Sequence, residues 1–295
     1  MSRVFRVLLT AFFILKWTDY AKSDQEDPKT LFAWRFPKLE ALKDAEAKDD
    51  DSEEEPIATD RPDFTESSKN VGRGRVQVEM GYTYSQNRTQ GVQSAHSYPE
   101  MLIRLGVFAD WFELRVGQNF LVSRSLGAEG QPHLSSGADD VYIGVGLGLT
   151  EQLKLLPESR LLIQSTLPTG ASSMTSAKTL PGLNYLYGWE ITERISLGGS
   201  TQANAAVDAD GGRYLEMAQA LTVGYSLTKK LGAYTERFAF FPYGATAEGT
   251  TAEHYLDGGF TYKVTPNFQL DIRAGVGLSQ QADDFFVGSG FAVRR

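Results

Sequence analysis

The chain has no cysteine, only three histidines in 295 residues, and no apolar run as long as a membrane-spanning helix. Without cysteine there are no disulfide staples, thiolate metal sites or thiol nucleophiles. The histidines, at 96, 133 and 254, are scattered, and no spaced His and carboxylate signature of a metal site accompanies them. No phosphate loop or dinucleotide fingerprint occurs, and Gly144-x-Gly146-x-Gly148 reads as strand alternation. These gaps imply no cofactor. Basic residues nowhere cluster into a patch, which argues against nucleic acid as a partner. The longest apolar stretch, Val7–Leu15, covers nine positions, whereas a spanning helix takes about twenty. A membrane role therefore requires a closed barrel, the other structure that satisfies its backbone groups in lipid.

Glycine is plentiful, with 29 residues, and 30 Phe and Tyr accompany 4 Trp. Residues 1–23 read as a signal peptide: Arg3 and Arg6 precede the short apolar core, and Ala21-Lys22-Ser23 offers small residues at a cleavage site. That reading implies export to the bacterial outer membrane. Without these residues the chain carries 25 basic and 36 acidic groups, and residues 24–56 alone hold 5 and 12 of them. The acidity sits in a tail that ends in Asp49-Asp50-Asp51 and Glu53-Glu54-Glu55. Like-charge repulsion predicts a largely disordered periplasmic linker over 24–56, available to a periplasmic partner. Its consecutive acids lack the spacing of a calcium loop.

Four similar turns organise the rest. Leu149-Thr150-Glu151-Gln152, Ile191-Thr192-Glu193-Arg194, Leu227-Thr228-Lys229-Lys230 and Val264-Thr265-Pro266-Asn267 place their threonines 42, 36 and 37 residues apart, about one hairpin pair each. Val107-Phe108-Ala109-Asp110 plays the same part upstream. The opposite connections are longer and rich in Gly, Ser, Thr and Asn, the asymmetry of an outer-membrane barrel. Between the turns, apolar and polar residues alternate. Val76, Val78, Met80, Tyr82 and Tyr84 interleave with Arg75, Gln77, Glu79, Gly81 and Thr83, which is period two. The pattern predicts an all-β, antiparallel transmembrane barrel of about 12 strands over residues 75–295. Strands are expected near 75–86, 97–107, 111–123, 138–149, 159–169, 180–190, 194–205, 213–226, 231–242, 252–263, 267–278 and 283–293. Alternation is weak over Ser159–Thr169 and Leu231–Phe241.

The polar face carries charges of both signs, which need water or one another, and a lumen supplies both. Glu79, Arg104, Glu113, Arg115, Glu236, Asp271 and Arg273 are the expected pore-lining residues. Residues 57–74 precede the first strand and contain Thr59-Asp60-Arg61-Pro62-Asp63. Pro62 restricts Arg61 to extended geometry. The segment is either a plug or clasp, pairing with charges at the mouth or in the lumen, or an extended lead-in with its charges in water.

Ile57–Ser67, with that Thr-Asp-Arg-Pro-Asp stretch and Gln77-Val78-Glu79-Met80-Gly81-Tyr82 after it, resembles the opening of a family of transporter-like outer-membrane proteins named for the meta-pathway of phenol degradation. Leu167-Pro168-Thr169-Gly170, Tyr234-Thr235-Glu236 and Tyr262–Asp271 extend the likeness over about 57–293. The resemblance implies an outer-membrane barrel and passage of small organic, including aromatic, molecules. One departure is that Phe291 is followed by Ala292-Val293-Arg294-Arg295 rather than closing the chain, as the aromatic assembly signal of many barrels does.

The expected partners are thus membrane lipid and small-molecule solutes, and the expected function is a passive channel or transporter. Two rivals stand beside it. A closed barrel could serve as a structural or interaction protein through its loops. A lipid hydrolase would need Ser94 or Ser97 with His96, or Ser135 with His133, but no third orienting group is readable. The chain is read as a non-enzyme.

Overall fold

The computed structural model describes residues 28–35, 55–87, 93–126 and 131–295. The signal-peptide expectation and most of the acidic linker lie outside the described residues. A five-residue helix α1 (Leu31–Arg35) precedes the sheet, and Trp34 packs on Trp111 with ring centroids 5.6 Å apart.

The strands are β1 (Val76–Asn87), β2 (Gln93–Gly106), β3 (Phe112–Gln118), β4 (Phe120–Leu126), β5 (Pro132–Ala138), β6 (Val141–Thr150) and β7 (Glu158–Leu167). They continue as β8 (Leu180–Thr192), β9 (Ile195–Val207), β10 (Arg213–Ser226), β11 (Leu231–Tyr243), β12 (Glu253–Thr265), β13 (Phe268–Gly277) and β14 (Phe285–Arg294). All pairings are antiparallel. β2 pairs with β3 through its inner half and with β4 through its outer half, so β3 and β4 form one wall strand interrupted at Asn119. β5 and β6 likewise form one, interrupted at Asp139-Asp140. β1 bonds to β2 on one side and to β14 on the other, closing a 12-stranded barrel.

The repeated threonines explain the turns. The Thr192 hydroxyl oxygen accepts the backbone N–H groups of Arg194 and Ile195, and that of Thr228 accepts those of Lys230 and Leu231. Thr265 takes the Asn267 N–H. Each hydroxyl satisfies donors the tight turn would otherwise leave open. Thr150 differs, donating to the Pro157 carbonyl across a longer connection that carries its own Leu153–Leu156 bridge.

Burial is inverted relative to a water-soluble fold. Ile143, Ile163, Leu183, Leu221, Leu256 and Ile272 stand exposed on the outer surface. Gln77, Glu79, Arg104, Glu113 and Arg160 are wholly buried inside. An apolar exterior around a polar interior is the wall of a transmembrane barrel. One outward residue breaks the pattern: Arg237 is exposed at the middle of β11, between its cross-strand neighbours Leu221 and Leu256. A bare arginine at that depth costs about 2–4 kcal/mol.

Two strand expectations need adjustment. β2 begins four residues before the expected 97, and β5 adds an outer half to the strand expected at 138. As a result His96 and His133 lie within β2 and β5, and His254 lies within β12, at the strand expected from 252.

Candidate functional site

The lumen is crossed by the chain's own residues 57–74. The segment is tied to the inner mouth where the Ile57 N–H donates to the Pro266 carbonyl, and it returns to the wall where the Gly74 N–H donates to Gly106. Between these points it meets inward side chains around most of the circumference.

Asp60 is the hub, buried to 7 % exposure. Its carboxylate lies 3.1 Å from Arg104, 2.8 Å from Arg115 and 3.7 Å from Arg160, and it accepts the Ser67 N–H at 3.0 Å. Glu79 faces the same stretch and accepts the backbone N–H groups of Asp60 and Arg61. Glu113 accepts Arg104 Nε at 3.0 Å, Arg160 at 2.5 Å and the Val71 N–H at 3.0 Å. Glu66 pairs with Arg115 and takes a hydrogen bond from Asn184. Three buried guanidiniums thus meet four carboxylates, two from the wall and two from the segment. Burial on this scale is tolerable only because each charge finds an opposite partner and further hydrogen bonds.

Arg61 points to the other side, 2.6 Å from Glu100 and 3.3 Å from Asp271. Glycine makes room for it. A Cβ on Gly81 would lie 2.1 Å from Arg61 Cζ, and one on Gly290 would lie 2.4 Å from Arg61 Nε. The glycines on this face therefore form a seat for a guanidinium. Arg273 donates to the Pro62 carbonyl and to Thr83.

A different chemistry holds the next turn of the segment. Glu236 accepts the N–H groups of Phe64 and Thr65 at 2.6 and 2.8 Å, and the Thr222 hydroxyl at 2.7 Å. The Phe64 ring stacks on Phe238 at 4.7 Å and meets Phe240 edge-on at 5.2 Å. Phe238 stacks in turn on Tyr255 at 4.8 Å, with Phe286 against both. These rings, with Ala220 and Ala282, form an apolar cluster of the interior among the described residues.

Open space lies on both sides of the segment. An outer cavity of about 620 Å3 is lined by Tyr142, Gln164, Asn204 and Glu216, whose amides form a chain from the Tyr142 hydroxyl through Gln164 to Asn204. An inner cavity of about 430 Å3 is lined by Asp63, Glu66, Lys69 and Lys263.

All seven residues singled out from the sequence, Glu79, Arg104, Glu113, Arg115, Glu236, Asp271 and Arg273, are on inward rows, and each touches the segment or a residue that holds it. Thr59, Asp60, Arg61 and Pro62 make contacts there as well, and Asp63 lines the inner cavity. Sequence reading missed Arg160 and Asn184. Arg160 sits where Leu161, Leu162 and Ile163 hide the alternation, since Leu162 faces inward and is wholly buried. His96 Nδ1 contacts the Tyr82 hydroxyl at 2.9 Å. Among the described residues, no grouping of His, Asp and Glu is arranged to hold a metal ion.

Comparison with known proteins agrees with this architecture. The outer-membrane channel (COG4313) from Pseudomonas putida F1 superposes with a TM-score of 0.63 at 12% identity, over 78% of this chain and 98% of that one. The NanC porin gives 0.48 at 11% identity, over 74% of this chain and 98% of its own. The CymD monoaromatic hydrocarbon channel gives 0.39 at 9% identity, over 75% and 87%. The first of these supports the fold, and the lower scores add nothing to it. No curated protein matches the sequence. The sequence pattern of the family described as "Putative MetA-pathway of phenol degradation" matches residues 59–294, from the Thr59-Asp60-Arg61-Pro62-Asp63 stretch to the end of β14, and the chain belongs to that family.

Proposed function

We propose that the protein is an outer-membrane channel for passive passage of small molecules, hydrophobic and aromatic ones among them, with residues 57–74 as its plug. The observation that carries this reading is the way the segment is held. An outer and an inner cavity lie along the lumen it occupies, and between its ends it is held by ion pairs and hydrogen bonds to its backbone, its covalent link to the wall being the run into β1. Such contacts exchange readily with water once the segment shifts. The inward charges are then pore-lining when the segment moves and clasp residues when it rests.

The aromatic solute class is supported by the family description and by the Phe64, Phe238, Phe240, Tyr255 and Phe286 cluster beside the path. Flat rings offer stacking surface to a flat solute. A hydrolase role gains no support from the histidines: His96 bonds to Tyr82 and packs on Tyr84, with no serine hydroxyl bonded to it. The protein is better read as a non-enzyme of the outer membrane.

The test is single-channel conductance in a planar bilayer for the full chain and for a chain lacking residues 24–66, both shown folded by heat-modifiable gel mobility. The reading expects a small or intermittent current in the first and a larger, steadier one in the second. Silence in both would favour a closed structural barrel that binds through its loops.

A further inference from the structure

The outer surface carries its own anomaly, independent of the lumen. Arg237 is the one charged side chain at the centre of an outward row among the described residues, and no described residue gives its guanidinium a hydrogen bond or an ion pair. The neighbouring strands carry polar residues on the same face, among exposed leucines such as Leu183, Leu215 and Leu221. Exposed Thr201 on β9 donates to Gln219 on β10, and Gln219 donates to the Tyr187 hydroxyl on β8. Thr235 lies exposed two residues from Arg237 on the same face. Between them stand Gly199 under the Tyr187 ring, Ala203, the buried Ala239 and the exposed Leu221, and the opposite wall presents Leu270, Ile272, Val276, Val287 and Phe291.

Lipid tails offer this patch no acceptor for a guanidinium. Snorkelling would carry the charge away from the polar strip rather than use it. We propose that the outward face of β8–β11 is the contact between two copies of this chain in the membrane. Copies inserted with the same polarity are related by an axis along the membrane normal, so a patch at one depth meets itself at that depth. The patch is self-complementary. Its donor, Arg237, sits on one flank on β11, and its acceptors, Gln219, Thr201 and Tyr187, sit on the other across β8–β10. An axis passing beside β10 brings each Arg237 to the partner's acceptors, twice over. Polar groups hold the contact, as they do between helices in lipid.

The absence of native cysteine makes a clean test available. Gln219→Cys lies near the expected axis, and Ile272→Cys on the opposite wall is its control. Both full-length variants are oxidised in outer-membrane vesicles and run on denaturing gels after heat-modifiable mobility has shown them folded. The main band of Gln219→Cys is expected at twice the monomer mass, with Ile272→Cys remaining monomeric. Mass measurement of the wild-type protein in lipid nanodiscs is expected to give two copies, and Arg237→Leu one. Equal cross-linking of the two cysteine variants, a wild-type protein with a single copy, or an undiminished dimer in Arg237→Leu would overturn the proposal.

Discussion

The segment inside the barrel is held in two ways, and the two differ in what they demand. Around Asp60, contacts are directional and dry: Arg104, Arg160, Glu79 and Glu113 are wholly buried, and each guanidinium is fixed by particular oxygens. Around Phe64, contacts are broad: rings stack at 4.7–4.8 Å, and Phe64 and Phe240 remain only partly buried. A charge network buried this way adds little net stability over an apolar core, yet removing one partner is costly. It therefore sets where the segment lies. Ring stacking tolerates sliding, so it holds the segment without fixing its register. Place is specified by charge, and attachment is shared with aromatic contact.

Breaking the charged side should have the largest effect. Asp60→Ala leaves Arg104, Arg115 and Arg160 facing one another with fewer carboxylates, and it should lower stability by about 3–5 kcal/mol. The unfolding midpoint in detergent, read by heat-modifiable mobility, should fall accordingly. An unchanged midpoint would mean that water already screens the cluster.

Gly81→Val sharpens the comparison by touching only the seat of Arg61. Its Cβ would overlap a guanidinium, so Arg61 must leave Glu100 and Asp271 while the Asp60 cluster stays intact. Loss of part of the segment's protection from hydrogen exchange, confined to residues near Arg61, is the expected outcome. Protection lost along the whole segment would show that the two sides are not separable.

Phe64→Ala addresses the aromatic side. Each lost ring pair should remove about 0.5–1.5 kcal/mol, visible as a smaller drop in midpoint than for Asp60→Ala. A drop as large as that of Asp60→Ala would reverse the ranking.

The smallest effect concerns the outer loops, remote from both. Asp208 follows β9 and accepts N–H groups from Gly212, Thr246 and Ala247, which hold its pKa below the ordinary 3.8. A carboxylate with a depressed folded pKa contributes above its unfolded pKa and loses that contribution as pH falls through the folded value. Limited proteolysis of the outer loops should therefore be unchanged from neutral pH down to that range and rise only below it. Asp208→Asn should show no such step.

Much of the wall was legible because period-two alternation is strong wherever one face meets lipid. The threonine turns were legible because in three of them the hydroxyl takes the N–H two residues on. Alternation faded where the interior is apolar. Leu162 and Leu186 point inward beside Arg160 and Asn184, and on β11 the inward Phe238 and Phe240 follow the outward Arg237. Polarity there no longer marks the face. The interruptions at Asn119 and Asp139-Asp140 left no periodic trace. In the segment, the charged residues could be picked out but their partners could not. Glu79, Glu113 and Glu236 bind its backbone N–H groups, which every sequence possesses and none advertises.

The central claim is that charge, chiefly Asp60 and Arg61, keeps the segment across the lumen. It is tested most directly by the single-channel current of the Asp60→Asn, Arg61→Gln double variant against the wild-type protein at the same salt and voltage. The account predicts a larger current with longer open periods in the double variant. Currents indistinguishable from wild type, with the barrel shown folded, would contradict it.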